Sequence, residues 1–308
     1  MIDILGKRYY FFALSLLLIL PGLLIIAIRG LPMSIDYTGG SKLEIKFASG
    51  TAPSVQEVTA LYNEFGIAEA KGTSIGNDTL AIRSSMIDEA TRSDLVSQME
   101  QRFNDTITVQ RFDTVGPTIG REVTTRAAMA VGVAALAVII YITLAFRKVQ
   151  HAFRYGVCAI IAMIHDVLIV FSLIGYGSMF LGWEFDSLFL TAMLSVIGFS
   201  VQDKVVVFDR IRENSAIYRR LPFETLVNHS IIQTLERSIN TQLMTSEFLL
   251  LALALFGGAS LRPFSIILLV GLLMGTYSSI FIAAPVLVIW EKKEWRTWFG
   301  RGQTQATS

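Results

Sequence analysis

Charge is scarce in this chain. Lys, Arg, Asp and Glu make up 17% of its 308 residues, against roughly 25% in soluble domains. A soluble protein of this length could not cover its surface with so few charges. Cysteine is almost absent. Cys158 stands alone inside an apolar run, so it forms no intramolecular disulfide and reads as a small core hydrophobe. The polar stretch at 29–125 has no histidine, no cysteine and no metal-ligand cluster, and neither a metal nor a cofactor is expected. A net charge of +1, without a basic patch interleaved with aromatics, argues against nucleic-acid binding. There is no His-Glu-x-x-His, and no catalytic Ser–Lys pair is expected within a span. No catalytic residues are expected, and an enzyme is not the natural reading.

What is plentiful is apolar sequence. The mean hydropathy is +0.55 and 53% of residues are hydrophobic. About 18 or more consecutive apolar residues indicate a membrane-spanning helix. Six such runs occur, at about 9–28, 127–146, 155–175, 187–208, 239–257 and 263–290. The first follows Lys7 and Arg8. It is too long for a cleaved leader and reads as a retained signal anchor. Lys and Arg fall at the N-terminus, in the links between spans two and three and between four and five, and in the tail. The link between spans three and four has only Glu184 and Asp186. Cationic loops stay inside. The expectation is therefore six spans with both termini cytoplasmic.

Residues 29–125 carry a different pattern and fall outside on this topology. SKLEIKF (41–47), TLAIRSS (79–85) and TITVQRF (106–112) alternate like half-buried strands, and IAEAKGTSI (67–75) reads as a further strand. SVQEVTALYNEFG (54–66) and DEATRSDLVSQMEQRF (88–103) read as amphipathic helices with caps. The order β-α-β-β-α-β is a ferredoxin-like split unit. The predicted fold is thus an α-helical polytopic membrane protein of six transmembrane helices, with an α+β ferredoxin-like extracytoplasmic domain between spans one and two. Residues 1–28 form the anchor span, 29–125 the external domain, 126–290 a five-helix membrane domain and 291–308 a cytoplasmic tail. Residues 219–238, between spans four and five, are basic and amphipathic, as in a helix lying along the cytoplasmic face.

Ionisable residues within spans cost roughly 2.5–3.5 kcal/mol each even on lenient insertion scales, so they mark function by default. Asp203 lies about 7–8 Å in from Phe208 at ~1.5 Å rise per residue. It is too short to snorkel, and Ser200 shares its face. Lys204 has two readings, a side chain snorkelling to water and a functional cation. His165 and Asp166 sit near the middle of span three, as a proton-passing step or as a hydrogen-bonded pair pinning two helices. Arg237, Asn240, Met244 and Glu247 share one face of span five. Arg237 lies at the cytoplasmic mouth, where it could screen Asp203 or bind lipid phosphate. Span six has no charge, and its Gly271, Gly275, Ser278 and Ser279 read as close-packing positions.

Taken in order, DYTGGS (36–41), VGPTIGREV (115–123), IHDVLIVF (164–171), GFSVQDKVVVFDRIREN (198–214), LERSINTQL (235–243) and residues 261–287 resemble the SecF side of the SecD/SecF protein-export family. That family lies within the resistance-nodulation-division superfamily. The resemblance covers nearly the whole chain. Asp36, Gly39 and Gly40 match the family's extracytoplasmic signature after the first span. Asp203 matches its intramembrane aspartate and Arg237 its arginine on span five. The implied role is to assist SecYEG-dependent export across the bacterial inner membrane, using the proton motive force. The implied partners are SecD, the SecYEG translocon, YajC and YidC, secreted polypeptides, protons and membrane lipid. The proton-relay candidates are Asp203, Arg237, His165, Asp166, Glu247 and Lys204. The chain departs from the family where Gln202-Asp203-Lys204 stands for the usual Asn-Asp-Thr, and at Glu247. These two departures suggest a Lys204–Glu247 pair on facing spans. A small-molecule or lipid exporter of the same superfamily and a structural scaffold are the alternatives.

Overall fold

The computed structural model describes residues 3–147, 152–242, 248–258 and 261–294. The chain divides into two compact units, one of Ile25–Val131 with Ile174–Leu190 and one of Met1–Leu24, Gly132–Leu173 and Thr191–Ser308.

The first unit is built on a four-stranded antiparallel sheet. Its elements follow the order β1 (Gly40–Phe47), α3 (Val55–Glu64), β2 (Lys71–Ile75), β3 (Thr79–Ser84), α4 (Glu89–Phe103) and β4 (Ile107–Val115), after a single helical turn α2 (Ile35–Thr38). The sheet order is β2-β3-β1-β4, all antiparallel. This is the βαββαβ unit that the alternation predicts. Leu43, Ile45 and Phe47 point into the core while Lys42, Glu44 and Lys46 alternate outward, so one face of β1 is apolar. Leu43 lies opposite Ile82 and Ile45 opposite Leu80. Val58, Leu61 and Tyr62 of α3 and Leu95 and Met99 of α4 close the same core. Both helix starts are capped. Ser54 and Glu57 form a reciprocal capping box, and Asp88 accepts from Thr91 N. The second predicted strand, 67–75, begins only at Lys71, because Ile67–Ala70 are spent on a turn that buries Ile67.

Five helices among the described residues are long and apolar enough to cross a membrane: Leu5–Arg29, Pro117–Phe146, Ala152–Phe180, Ser187–Ile217 and Leu261–Lys292. They contain α1 (Arg8–Arg29), α5 (Pro117–Phe146), α6 (Ala152–Phe180), α7 (Ser187–Ile217), and α10 (Leu261–Ser278) joined to α11 (Ala284–Lys292) by one π-helical turn, Ser279–Ala283. The run predicted as span five falls partly on residues 243–247, outside the described residues. The helices α8 (Phe223–Gln242) and α9 (Phe248–Phe256) flank that gap. Helix α7 does not stop where its apolar run ends; it continues through the charged residues 209–217.

In the second unit α6 packs closely on α1. A Cβ at Gly22 would come within 2.0 Å of Ser172 Oγ, which itself donates to the Leu18 carbonyl at 2.8 Å. Helix α8 spends its apolar stripe, Leu226, Val227 and Ile231, on the protein core rather than on a membrane surface. Polar contacts fasten it further. Asn228 Oδ1 accepts from Ile4 N at 3.0 Å, and Asn214 of α7 donates to Ser230 Oγ at 2.8 Å.

Candidate functional site

His165, Asp166 and Lys204 meet at a centre made by α6, α7 and α10. Small residues permit the approach. A Cβ added at Gly271 would stand 2.3 Å from Val196 Cγ2, and one at Gly275 would stand 3.3 Å from Ser200 Cβ. Without side chains at these two positions, α10 lies directly against α7 and brings Ser278 to the charged centre. The π turn begins immediately after Ser278. Such one-turn bulges re-aim neighbouring side chains and occur often at functional sites.

Asp166 is the hub, with no solvent exposure. Its Oδ2 accepts from Lys204 Nζ at 2.6 Å, Ser200 Oγ at 2.5 Å and Ser278 Oγ at 2.8 Å. Its Oδ1 meets His165 Nδ1 at 3.0 Å. Lys204 is equally inaccessible and also donates to Ser200 Oγ and to the Ser200 carbonyl at 3.3 Å. The lysine therefore does not snorkel. Ser200 and Lys204 are four residues apart and share one face of α7, so the ammonium is aimed at α6. Asp203 is turned about 100° away by the helical step. Its Oδ2 accepts from Thr276 Oγ1 on α10 at 2.9 Å.

A lone buried charge would be prohibitive, and a buried pair survives only with its remaining lone pairs satisfied. Two serine hydroxyls and the histidine do this here. His165 stacks on Tyr277, with ring centroids 6.1 Å apart and planes at 28°. Tyr277 donates to the Phe11 carbonyl at 2.9 Å and accepts from Ser15 Oγ at 3.2 Å, which ties the ring to α1. His165 Nε2 is buried with no hydrogen-bond partner among the described residues. The centre thus holds a carboxylate pinned by a cation, a second carboxylate held by a threonine hydroxyl, and a histidine with one nitrogen uncommitted. Groups of this kind can take up and release protons, provided that a partner compensates each change of charge.

The structure brings together His165, Asp166 and Lys204, with Asp203 on the adjacent face of α7. It does not bring Arg237 to them. That side chain is exposed, makes no ion pair among the described residues, and lines an open cleft with Asp209, Arg210 and Glu213. Glu247 lies outside the described residues, and the described partners of Lys204 are Asp166 and Ser200. One expectation needs correction. Span six does more than pack, since Ser278 and Thr276 bond the two aspartates. A Ser–Lys pair does exist within a span, at Ser200 and Lys204. Ser200 Oγ donates to Asp166 rather than to Lys204, and Lys204 donates to both, which is not the arrangement of a nucleophile and its base. Gly72-Thr73-Ser74-Ile75-Gly76 has the spacing of a nucleophile elbow. It forms β2 and its turn to β3 rather than a strand-to-helix turn, and Ser74 Oγ donates to the Gly76 carbonyl at 2.9 Å.

The signature residues lie in the first unit. Asp36 Oδ2 accepts from Ser187 N at 3.0 Å and from Ser187 Oγ at 2.8 Å, at the first residue of α7. Gly39 has φ +75°, and Gly40 has φ +121°. A Cβ on Gly40 would lie 2.5 Å from the Ser84 carbonyl, so only glycine fits this crossing.

A family model described as "Protein export membrane protein SecD/SecF, C-terminal" matches residues 95–293, and one described as "SecD/SecF GG Motif" matches residues 24–50. Over 308 residues the chain is 68% identical to the protein translocase subunit SecF of Anaerolinea thermophila, with 100% of both chains covered. It is 42% identical to the SecF of Thermobaculum terrenum, again over 100% of both. It is 35% identical to the translocase subunit SecDF of Thermus thermophilus, covering 94% of this chain and 39% of that one. A crystal structure of a Thermus SecDF, described as a translocon-associated membrane protein, superposes with a TM-score of 0.80 at 33% identity. It covers 94% of this chain and 39% of the larger one.

Proposed function

The chain belongs to the SecD/SecF family of protein-export membrane proteins, on its SecF side, and from that premise we propose that it couples proton movement to the export of polypeptides. It is a multi-pass membrane subunit of a protein translocase, and the fused SecDF relative supports partnership with a SecD chain. The fuller reading has six spans, termini in the cytoplasm of a bacterial inner membrane, and residues 29–125 as the external domain. In that reading it works beside the SecYEG channel, with YajC and YidC as further associates, and the sheet unit acts on the emerging polypeptide.

The observation that carries the proton reading is the Asp166–Lys204 pair with its serine and histidine partners. A scaffold has no need of two buried charges, which cost several kcal/mol apiece to desolvate. A group that must gain and lose charge needs such a setting. Protonating Asp166 would free the Lys204 ammonium from its counter-ion, and the three helices would have to rearrange to compensate. One charge crossing the membrane releases ~2.3 kcal/mol per 100 mV, enough to bias such a rearrangement. Asp203 is the second carboxylate of the path, with Arg237 and Glu247 as candidates at its margins.

The test is export of a slow secretory protein in a cell lacking its own counterpart, with and without an uncoupler. Asp166→Asn and Asp203→Asn are introduced separately. The expected result is that Asp203→Asn assembles with its partner but loses the uncoupler-sensitive part of export, and that Asp166→Asn, scored per assembled complex because halving the pair destabilises it, loses it too. Export unchanged in both would refute the proton reading and leave the pair structural.

A further inference from the structure

The function just proposed makes no use of the signature Asp36-Tyr37-Thr38-Gly39-Gly40, yet this segment makes a dense set of contacts. It follows the first span and enters β1. Ahead of it, Ser34 N donates to the Phe185 carbonyl at 3.0 Å and Phe185 N donates to the Pro32 carbonyl at 2.6 Å, so residues 32–34 run alongside residue 185 as a short parallel bridge. Tyr37 Oη donates to the Asp186 carbonyl at 3.1 Å. The two Asp36 bonds to Ser187 then fall on the next residue. Behind the segment, Arg83 of β3 donates to the Met33 carbonyl and to Thr38 Oγ1. A Cβ on Gly39 would stand 3.1 Å from Pro117 Cα at the start of α5.

Asp36 is therefore a cap supplied from a distance of 151 residues in sequence. The local cap of α7 is already present, since Asp186 Oδ1 accepts from Phe189 N at 2.7 Å. Helix α7 would start without Asp36. What the second carboxylate adds is a link between the root of β1 and the first residue of the helix that also carries Ser200, Asp203 and Lys204. The helix dipole favours an anion at this end, and both Asp36 bonds use the same oxygen.

We propose that Asp36 is a positioning residue that ties β1 to the first turn of α7, the helix that also carries Ser200, Asp203 and Lys204. The glycine pair serves this link by letting β1 begin hard against β3 and α5, with no side chain to hold the strand root away. The inference rests on the proton reading only for its effect on export; the link itself is independent of it.

Because one oxygen accepts both bonds, the amide oxygen of an asparagine can replace it, whereas alanine cannot. The experiment compares Asp36→Ala and Asp36→Asn in the full-length chain assembled with its SecD partner in membranes. It reads amide hydrogen exchange at residues 187–189 and at 43–46, together with the uncoupler-sensitive fraction of export. In Asp36→Ala, exchange at the Ser187 amide within 187–189 rises roughly ten-fold, the scale of a lost cap, while Phe189, held by Asp186, and 43–46 are unchanged and most uncoupler-sensitive export is lost. In Asp36→Asn, both readouts stay within about two-fold of the parent, as retention of the cap requires. Three results each overturn the inference: unchanged exchange at Ser187 in Asp36→Ala, equal loss in Asp36→Asn, or exchange rising equally in β1. Should the parent export equally well with the uncoupler, the proton reading fails instead, and the exchange arm still decides whether the link exists.

Discussion

Lys204 Nζ stands 2.6 Å from Asp166 Oδ2, and neither side chain has any exposure. The two residues are 38 apart in sequence, on different helices. A pair of this kind stabilises little by its presence and costs much when halved.

Asp166→Asn and Lys204→Met should therefore each destabilise the protein by about 3–5 kcal/mol, while the double variant should recover most of that loss. Thermal denaturation of the purified complex in detergent measures all three. A double variant as unstable as either single one would show that the serine and histidine contacts, not charge balance, set the cost.

Packing makes a second prediction. The Cβ of Gly271→Ala must displace Val196, since it would approach Cγ2 to 2.3 Å. Overpacking of this sort costs roughly 1–3 kcal/mol. Val196→Ala should restore stability to Gly271→Ala, and the same denaturation experiment reads the rescue. Absence of rescue would place the strain elsewhere on α10.

In the sheet unit, the hydroxyl of Tyr62 is fully buried and meets no hydrogen-bond partner among the described residues. Burial pushes its pKa well up. Tyr62→Phe removes the stranded group without opening a cavity, so it should stabilise the unit by about 1 kcal/mol. Slower amide exchange in β1 and α3 of the full chain would register this. Faster exchange would mean that the hydroxyl is satisfied.

Two kinds of carboxylate in the same unit should respond oppositely to pH. Burial, opposed by its bond from Phe189 N and aided by Asp36, pushes Asp186 above its ordinary value of 3.8. The folded chain then holds this proton more tightly than the unfolded one. Asp186 therefore favours folding below about 3.8, and that contribution is lost as pH rises through its elevated folded value. Hydrogen bonds from Thr91 lower Asp88, so its contribution is present above the ordinary value and fades as pH falls through the depressed one. Stability against pH should thus lose its rising-pH decline in Asp186→Asn and its acid-side loss in Asp88→Asn. Identical profiles in parent and variants would sink this assignment.

Much of the fold was legible in the chain. The strands at 41–47 and 79–85 and the helices from 54 and 88 follow from period-two and period-3.6 patterns with good caps, and local physics settles such elements. The partners of Lys204 were not legible. Snorkelling was a reasonable reading of one helix, but it does not consider α6, which supplies the carboxylate; the suggested bond to Glu247 falls outside the described residues. Ser278 and Thr276 were hidden for a related reason, since hydroxyls among glycines in an uncharged span look like packing residues. Ser200 was noticed beside Asp203, but it serves Asp166.

The amino-acid sequence alone determined that this chain enters a membrane, that a βαββαβ unit interrupts its apolar runs, and which few ionisable residues lie within the spans. Those properties depend on composition and on spacing along one helix or strand. Only the tertiary structure decided that Asp166 is the centre, that Asp203 is turned toward α10, and that Asp36 caps α7. Each of these depends on which distant segments meet; the glycines of α10 and the π turn after Ser278 set the first two through close approach to α7, and the Asp36 contact joins residues 151 apart in sequence.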